Sequence, residues 1–393
     1  MRTGWLWFVP AVIVAACVAQ TDSSIVREGK YWVQTANGSA SLAGSELLKV
    51  STRGAVSLQG EARGNVGYVL KKRTKVQDPA RARALLNGIA VKTSKRSGGM
   101  LLEVSLPPGW ETSADLQLRV PRGLRETILE SQGESIEASD LDGSLRADSR
   151  GGRLQVDRIQ GDVTVRTGGG QVRLGKVGGN VLCFSGGGTI TADMIGGEAG
   201  LNTEGGEINV KVAKGLVRAS TRGGNIRIER ADYGVTAEAQ AGLIDIIRAN
   251  GPVIAQTAAG AIRIRSAGNV ECQVETGPVQ LYGVYGGLRV ATRAGSIFAE
   301  LAAKPLQDSS LSTGSGDITV LIPSNLAVTV QAFSAYPGGH RIISDFTEIR
   351  PRLSQGEAET EALGTINGGG PLLRLTASGG TIYLRRQRQG HME

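Results

Sequence analysis

Five octapeptides set 18 residues apart decide the fold of this chain: SRGGRLQV (149–156), TGGGQVRL (167–174), SGGGTITA (185–192), TEGGEINV (203–210) and TRGGNIRI (221–228). Each begins with Ser or Thr, continues with glycines and ends in apolar residues that alternate with polar ones. Alternation with a period of two is typical of a β-strand with one buried face. A unit this short cannot bury its apolar side alone, so the repeat predicts units that stack on one another.

The spacing of the apolar residues predicts how the units stack. Counted from the opening Ser or Thr, apolar residues recur at offsets 5, 7, 10, 14 and 16, which gives two short strands per unit. A left-handed hexapeptide β-helix does not fit these offsets, and independent hairpins would not keep several glycine columns in one register. Beyond residue 240 the unit length varies from 16 to 21 residues while the apolar pairs persist. We therefore expect an all-β fold, a right-handed or irregular single-stranded β-solenoid of about 11 coils over residues 126–343.

The segments on either side of the repeats are expected to cap the open ends of the stack. Residues 47–125 contain strand-like runs around one helix, which Asp78 and Pro79 are expected to begin, so they predict a small α/β cap. At the other end, residues 344–384 comprise an acidic excursion and closing strands of a β cap, and residues 385–393 form a basic tail. Residues 20–46 open with the polar run QTDSS and are interpreted as a tether.

The first 19 residues are typical of an export signal. Arg2 is followed by the uncharged run 5–16, which is too short for a membrane-spanning helix. The sequence VAAC (14–17) is similar to a bacterial lipobox, so Cys17 is the expected lipid attachment site and a lipid anchor the expected link to the membrane. Cleavage after Ala19 with simple secretion, and an uncleaved anchor, are the alternatives. The expected location is the cell envelope, as an outer-membrane or cell-surface lipoprotein, and otherwise the periplasm or the medium.

Two further cysteines, Cys183 and Cys272, fall on inward positions five coils apart. At a ladder spacing of about 4.8 Å they lie about 24 Å from each other, whereas a disulfide needs Cα atoms within ~7 Å. We expect both to remain free thiols even in an oxidising compartment.

Positive charge is concentrated near the start of the chain. The formal net charge is +8, and residues 62–96 contain ten Lys and Arg against the single acid Asp78. This segment is either a solvated face of the cap or a surface that binds anionic envelope polymers or lipid head groups. Nucleic acid is not an expected partner, because no aromatic stacking motif accompanies the charges. The candidate residues for anionic binding are Lys71, Lys72, Arg73, Lys75, Arg81, Arg83, Lys92, Lys95 and Arg96.

The repeat units resemble a family of bacterial β-strand-repeat proteins called putative adhesins. The resemblance rests on the pattern [ST]-x-G-G-x-[IVL]-x-[VIA], on TGSGDITVLIP (313–323) and on GGGPLLRLTASGGTI (368–382), and it covers roughly residues 101–384. It implies a β-solenoid on an exported or membrane-linked chain. The family has no established function and supplies no catalytic residues to transfer.

A carbohydrate-active enzyme, a polysaccharide lyase or hydrolase, is the alternative to a binding or structural module. One outward column places Asp162 and Glu198 two coils apart with Asn180 between them, a separation of about 9.6 Å that approaches the carboxylate spacing of inverting glycosidases. Exposed polar residues after a turn explain the same column. With two His in the chain, a nucleophilic triad or multi-His metal site is not expected. We therefore expect no catalytic residue, no metal and no cofactor. An envelope-assembly or stress accessory acting through an unidentified protein partner is a third possibility.

Overall fold

The computed structural model describes residues 20–42, 44, 46–96, 98–109, 111–335, 341–353 and 359–387. Strands account for 66% of the residues and helix for 3%, and the described part forms a β-solenoid of about 11 turns. The fold class predicted from the repeats is confirmed. Residue contacts divide the chain into two compact units, Met1–Arg166 and Thr167–Glu393.

The Ser or Thr that opens each repeat ties one coil to the next. Thr203 donates its side-chain hydroxyl to the carbonyl of Gly188 in the preceding coil at 3.0 Å, and accepts from the N–H of Gly206 at 3.2 Å. Ser185 and Thr221 make the same pair of hydrogen bonds in their own coils. Buried backbone groups need partners, and at a corner the strand ladder does not supply them. The motif therefore begins with a residue whose short side chain both donates and accepts.

Glycine is required at the fourth position of the repeat because adjacent coils touch there. A Cβ built on Gly206 would lie 2.2 Å from the carbonyl oxygen of Gly188 in the preceding coil. A Cβ on Gly205 would meet nothing within 4 Å. Gly188 and Gly187 show the same contrast. Glycine thus allows the close approach of the coils at the fourth position of the repeat, whereas a side chain would have room at the third.

Strands β1–β14 and helix α1 form the described part of the first unit, except that β14 ends one residue into the second. Their bounds are β1 Gln20–Asp22, β2 Val26–Glu28, β3 Tyr31–Ser41, β4 Leu47–Thr52, β5 Val56–Glu61, β6 Asn65–Thr74, α1 Pro79–Asn87, β7 Ala90–Arg96, β8 Gly99–Ser105, β9 Thr112–Pro121, β10 Glu126–Ser131, β11 Ile136–Leu141, β12 Ser144–Ser149, β13 Leu154–Ile159 and β14 Val163–Thr167.

Two sheets run through the first unit. Sheet A has the order β3–β6–β9–β5–β11–β13, with β1 and β2 both paired to β3, and sheet B has the order β7–β8–β4–β10–β12–β14. The coil strands pair in parallel, whereas β3, β6 and β7 run antiparallel to their neighbours at the end of the stack. Helix α1 begins as predicted, since the Asp78 carboxylate accepts from the N–H groups of Ala80 and Arg81 at 3.2 and 3.0 Å. Leu86, on this helix, and Ile89, two residues after its last residue, are fully buried.

The structure corrects the expected start of the solenoid. The supposed tether, residues 20–46, instead contributes β1–β3, and β3 pairs with β6 from Trp32 to Ser41. Strands β4 and β5, assigned to the cap from sequence, pair in register with β10 and β11, so the ladder begins at Leu47 rather than at residue 126. Strands β6–β9 are an insertion stacked on this first coil. Local patterns missed these pairings because they join strands distant in the chain.

The second unit contains the remaining strands of the described residues. Their bounds are β15 Val172–Val177, β16 Val181–Ser185, β17 Ile190–Ile195, β18 Ala199–Thr203, β19 Ile208–Ala213, β20 Val217–Thr221, β21 Ile226–Ala231, β22 Val235–Ala241, β23 Ile244–Ala249, β24 Val253–Ala259, β25 Ile262–Ile264, β26 Gly268–Thr276, β27 Val279–Ala294, β28 Ile297–Leu306, β29 Ser309–Ser315, β30 Ile318–Ile322, β31 Val328–Ala335, β32 Ile342–Ser344, β33 Arg350–Leu353, β34 Glu359–Ile366, β35 Leu372–Ala377 and β36 Ile382–Arg386.

Successive coils of the second unit stack in register. Each coil places one strand in sheet A, which starts with β15, and one in sheet B, which starts with β16; the long strand β27 bends from A into B. In sheet A, one column of paired residues reads Val172, Ile190, Ile208, Ile226 and Ile244, and no member is more than 1% exposed. The predicted inward offsets are confirmed in the coil of Thr203, where the buried residues are Ile208, Val210, Ala213, Val217 and Ala219.

The closing strands are inserted into the stack rather than added at its end. Strands β35 and β36 pair with β29 and β30 on one side and with β31 and β32 on the other. Strand β34 then pairs with β31, and β33 with β34. The expected solenoid boundary at residue 343 is therefore wrong: residues 372–386 continue the ladder, and 328–344 lie outside them. Part of the expected excursion forms β33 and β34. Of the expected basic tail, 385 and 386 end β36, and 388–393 lie outside the described residues.

Cys183 and Cys272 are buried free thiols, as the coil spacing predicts. Their register places them in one inward column of sheet B, five rungs apart. Burial raises the pKa of the Cys183 thiol to about 12 and also raises the pKa of Cys272.

We expect neither thiol to react with iodoacetamide in the native protein at neutral pH, because thiolate is the reactive form and both groups are buried and neutral. Peptide mass spectrometry should find Cys183 and Cys272 unmodified before unfolding in urea and alkylated afterwards. In the unfolded chain the thiols lose their protons near their ordinary pKa of about 8.5, so the free energy of unfolding should fall as the pH rises above that value. A native disulfide between the two would contradict the coil spacing.

Candidate binding groove

A polar groove of about 620 Å³ runs along sheet B of the second unit, where the strands bend into the glycine corner. Its floor is the column that opens the repeats, here Thr203, Thr221, Ala239 and Thr257. One row of side chains precedes that column in each coil and a second row follows it. The groove therefore crosses several coils, and its walls are built from one residue per coil in each row.

The first row consists of outward-facing residues in strict register on β18, β20, β22, β24 and β26. None of these side chains makes a hydrogen bond or ion pair within the described residues, although all five are polar. Their donors and acceptors face solvent and are available to a ligand. The members of this first row are Asn202, Ser220, Glu238, Gln256 and Gln273.

The second row contains Glu204, Arg222, Gln240, Ala258 and Glu275. Glu204 is ion-paired with Arg222 at 3.7 Å, and Glu275 pairs with Arg293, which does not line the groove. The lining thus holds three carboxylates, counting Glu238 of the first row, and a single guanidinium. Its electrostatic character is mildly acidic, and amide and hydroxyl groups provide most of its hydrogen-bonding capacity.

One end of the groove is apolar. Phe184, which pairs in register with Asn202, lines the groove and is 41% exposed. Leu182 on the same strand is 54% exposed and faces the same side of the sheet. An exposed aromatic side chain at the end of a polar row offers a flat surface against which a ligand with an apolar face can pack.

Sequence reasoning missed this groove for a physical reason. The inward positions repeat because each must fit the same interior, whereas the first row changes residue type from coil to coil. No periodic signal marks it. The available signal is an Asn, Ser, Glu or Gln directly after a buried residue in each of five successive coils, which is recognisable only once the register is known.

The column considered for catalysis has a structural role in the second unit. The side-chain oxygen of Asn180 accepts a hydrogen bond from the N–H of Glu198 at 2.9 Å, which ties two coils together. Glu198 forms an exposed ion pair with Arg218 at 3.0 Å. Asn225 and Asn269 brace the following coil in the same way as Asn180. Asp162 belongs to the first unit and Glu198 to the second.

The basic segment is not a continuous cationic surface. Lys72 is fully buried, with its ammonium 3.3 Å from both carboxylate oxygens of Asp22 and 3.5 Å from Oε1 of Gln34. Its assignment as an anionic-surface residue is wrong, because it cannot reach a ligand. Lys71 pairs with Glu28 at 3.0 Å. The partner acids come from a segment that sequence analysis treated as a separate tether.

Other members of the basic segment are also partnered or placed on an edge. Arg73 pairs with Asp115, Arg81 pairs with Glu111 at 2.8 Å, and Lys75 lies 5.6 Å from the centre of the Tyr31 ring. Of the nine candidate residues for anionic binding, the remaining exposed ones are Arg83, Lys92 and Lys95. The side chain of Arg96 lies outside the described residues. Lys92 and Lys95 are on β7, whose one described partner is β8. Lysines on such an edge hinder pairing with the strand of another chain.

The two neighbouring lysines of β6 should respond very differently to charge reversal. Lys72→Glu replaces a fully buried ammonium by a carboxylate beside Asp22, whose side chain is 34% exposed, so we expect a loss of about 3–5 kcal/mol in the free energy of unfolding. Lys71→Glu breaks an exposed ion pair and should cost at most about 1 kcal/mol. Urea titration followed by circular dichroism measures both. Equal stability of the two variants would show that Lys72 is not buried.

Two further findings concern metals and membranes. Among the described residues, no group of three or more His, Cys, Asp or Glu side chains is arranged to hold a metal ion. The helix of the described part, α1, has nine residues, and no helix there has the length and apolar character to span a bilayer. Cys17, the expected lipid attachment site, lies outside the described residues.

The fold and the groove together define a β-solenoid with a lateral polar groove on one of its sheets. Two solved structures are similar to this chain. One is a putative adhesin from Bacteroides fragilis, 14% identical, with a TM-score of 0.32, covering 61% of this chain and 96% of that one. The other is a putative cell adhesion protein from Clostridium sporogenes, 10% identical, with a TM-score of 0.17, covering 94% of this chain and all (100%) of that one. No family model matches the sequence, and no curated protein matches it.

The Bacteroides protein carries the family name that the repeat motif resembles, and the Clostridium protein is described as a cell adhesion protein. At these identities and TM-scores neither likeness bears on function, and the fold is established by the strand pairing of this chain itself.

Proposed function

We propose that this chain is an exported, lipid-anchored β-solenoid of the cell envelope that acts as a non-catalytic, adhesin-like binding module. The observation that carries the proposal is the first row of the groove, five polar side chains in register that have no partner in the part of the chain that the structure describes. Such a row suits an extended ligand, because each coil adds one polar contact and the sum gives affinity and orientation.

A non-catalytic role agrees with the contacts of the column considered for catalysis. Asn180 is committed to the backbone of the next coil, and Glu198 is exposed and ion-paired with Arg218. Glycoside hydrolysis uses two carboxylates that flank the scissile bond, whereas the carboxylate of Glu198 is engaged by the Arg218 guanidinium. Binding is therefore preferred over polysaccharide cleavage.

A glycan array tests the groove as the binding surface. Ser220→Arg places a long side chain in the middle of the first row and should abolish binding seen with the wild-type protein. Asn209→Arg is the matched control, because Asn209 lies in the same coil as Ser220 but faces outward from the other sheet. Equal loss in both variants, or no loss in Ser220→Arg, would reject the groove. Shortened or unsaturated products in the bound glycans would support the enzyme instead.

Export and anchoring have a separate test at the start of the chain. Intact-mass analysis of protein extracted from the native envelope should show Cys17 as the first residue with acyl mass attached, and Cys17→Ser should release the protein from the membrane fraction. A mature chain that begins at Gln20 without lipid would replace anchoring by secretion. Neither result changes the fold.

Anionic head groups remain a proposed second partner for the exposed basic residues alone. Charge reversal at Arg83, Lys92 and Lys95 should abolish low-salt binding to phosphatidylglycerol vesicles, since exposed charges act over about 8 Å at physiological ionic strength. Vesicle binding that survives this reversal, or that is absent in the wild type, would reject anionic head groups as a partner of these residues. They would then be a solvated face that protects the edge of β7.

A further inference from the structure

We infer that the groove takes a neutral, hydroxyl-rich polysaccharide chain that lies along the stack of coils. This inference rests on the groove being the binding surface of the proposed function, and it adds the chemical class and the orientation of the ligand. This ligand class differs from the anionic polymers that were considered as partners of the basic segment.

The charge of the lining disfavours a polyanion. Three carboxylates line the groove against one guanidinium, and Arg222 lies beside Glu204. A carboxylated or sulfated chain would bring like charges together, which costs affinity and slows association. Hydroxyl groups, in contrast, donate to carboxylates such as Glu238 in charge-assisted hydrogen bonds.

The remaining polar groups suit a ligand that both donates and accepts hydrogen bonds. Asn202, Gln256 and Gln273 each offer an amide with two donors and an acceptor, and none of the three has a partner within the described residues. A sugar hydroxyl also donates and accepts, so one amide can pair with neighbouring hydroxyls of one sugar. The N–H and C=O groups of a protein backbone have fixed positions, so an amide side chain could pair with them in fewer ways than with sugar hydroxyls.

The register fixes the direction of the chain. The five members of the first row follow one another at about 4.8 Å, so the row extends about 19 Å parallel to the stacking axis. A pyranose with its glycosidic oxygen is similar in length to one rung, which lets successive sugars meet successive coils. At the end of the row, the exposed ring of Phe184 can pack against the C–H face of a terminal sugar.

Titration calorimetry with oligosaccharides of increasing length tests this inference. The neutral probes are cello-, malto-, xylo- and manno-oligosaccharides, compared with oligomers of alginate as polyanion and of chitosan as polycation. We expect at least one neutral series to bind, with affinity that rises up to about five sugars and then levels, and that changes little with salt. The double variant Gln256→Ala/Gln273→Ala should weaken binding about tenfold, while Asn209→Ala on the other sheet should not.

The possible outcomes separate the ligand class from the groove itself. Alginate or chitosan binding that Ser220→Arg abolishes would retain the groove and overturn the neutral ligand. Neutral binding that does not depend on chain length would overturn the orientation. Failure of every neutral series to bind the folded wild-type protein counts against the inference, and binding that no groove variant affects counts against the proposed function as well.

Discussion

Replacing Gly206 by Ala is expected to destabilise the second unit by about 3 kcal/mol or more, although it adds a single methyl group. The new Cβ would lie 2.2 Å from the carbonyl oxygen of Gly188. That oxygen belongs to the backbone of the adjacent coil and accepts from Thr203, so it cannot move without breaking the hydrogen bonds between coils. Urea unfolding followed by circular dichroism should show a lower midpoint or, at the extreme, insoluble protein.

The adjacent substitution Gly205→Ala is the matched control. It occupies the same turn and adds the same methyl group, but nothing lies within 4 Å of its Cβ. We expect a change of no more than about 1 kcal/mol, and even slight stabilisation, because alanine restricts the unfolded chain. If the two variants had the same stability, adjacent coils would not touch at Gly206.

Ile190→Asp should be at least as damaging, with an expected cost of about 4 kcal/mol or more. Ile190 is fully buried in sheet A between Val172 and Ile208, so the new carboxylate would have apolar neighbours above and below it. No hydrogen-bond donor of this column is free to compensate, since the backbone N–H groups are already used in the ladder. Loss of cooperative unfolding, or of soluble expression, is the expected observation.

Thr191→Asp controls for the introduction of a charge into the same strand. Thr191 faces outward and pairs in register with Arg173 and Asn209. The substitution should cost within about 1 kcal/mol, the range of strand propensities. Should Ile190→Asp prove as well tolerated as Thr191→Asp, the inward and outward faces would have been exchanged, since a shift of one residue reverses every side chain of a strand.

The interior of the solenoid could be predicted from sequence because its determinants are local and periodic. The offsets of Ile208 and Val210 from Thr203 repeat in every coil, and stacking follows from units too small to fold alone. The free thiols of Cys183 and Cys272 followed from the same count. Helix α1 was also predictable, because Asp78 and Pro79 act within one turn.

The ends of the stack could not be predicted, since they depend on contacts between distant segments. Lys72 is neutralised by Asp22, fifty residues away, through the pairing of β3 with β6. A charge count along the chain does not reveal such a partner. The insertion of β35 and β36 between earlier strands likewise has no local signature, because every coil strand presents a suitable edge to the next.

The groove, the glycine contacts and the spacing of the thiols all depend on successive repeats stacking in register, and distances between spin labels test this most directly. With one label at position 173 and the second at 227, 263 or 280, the labelled positions lie three, five and six rungs apart in sheet A. Double electron–electron resonance should give narrow distributions whose means increase by about 4.8 Å per rung, near 14, 24 and 29 Å. Broad distributions, or means that do not increase with the number of rungs, would contradict the in-register stack.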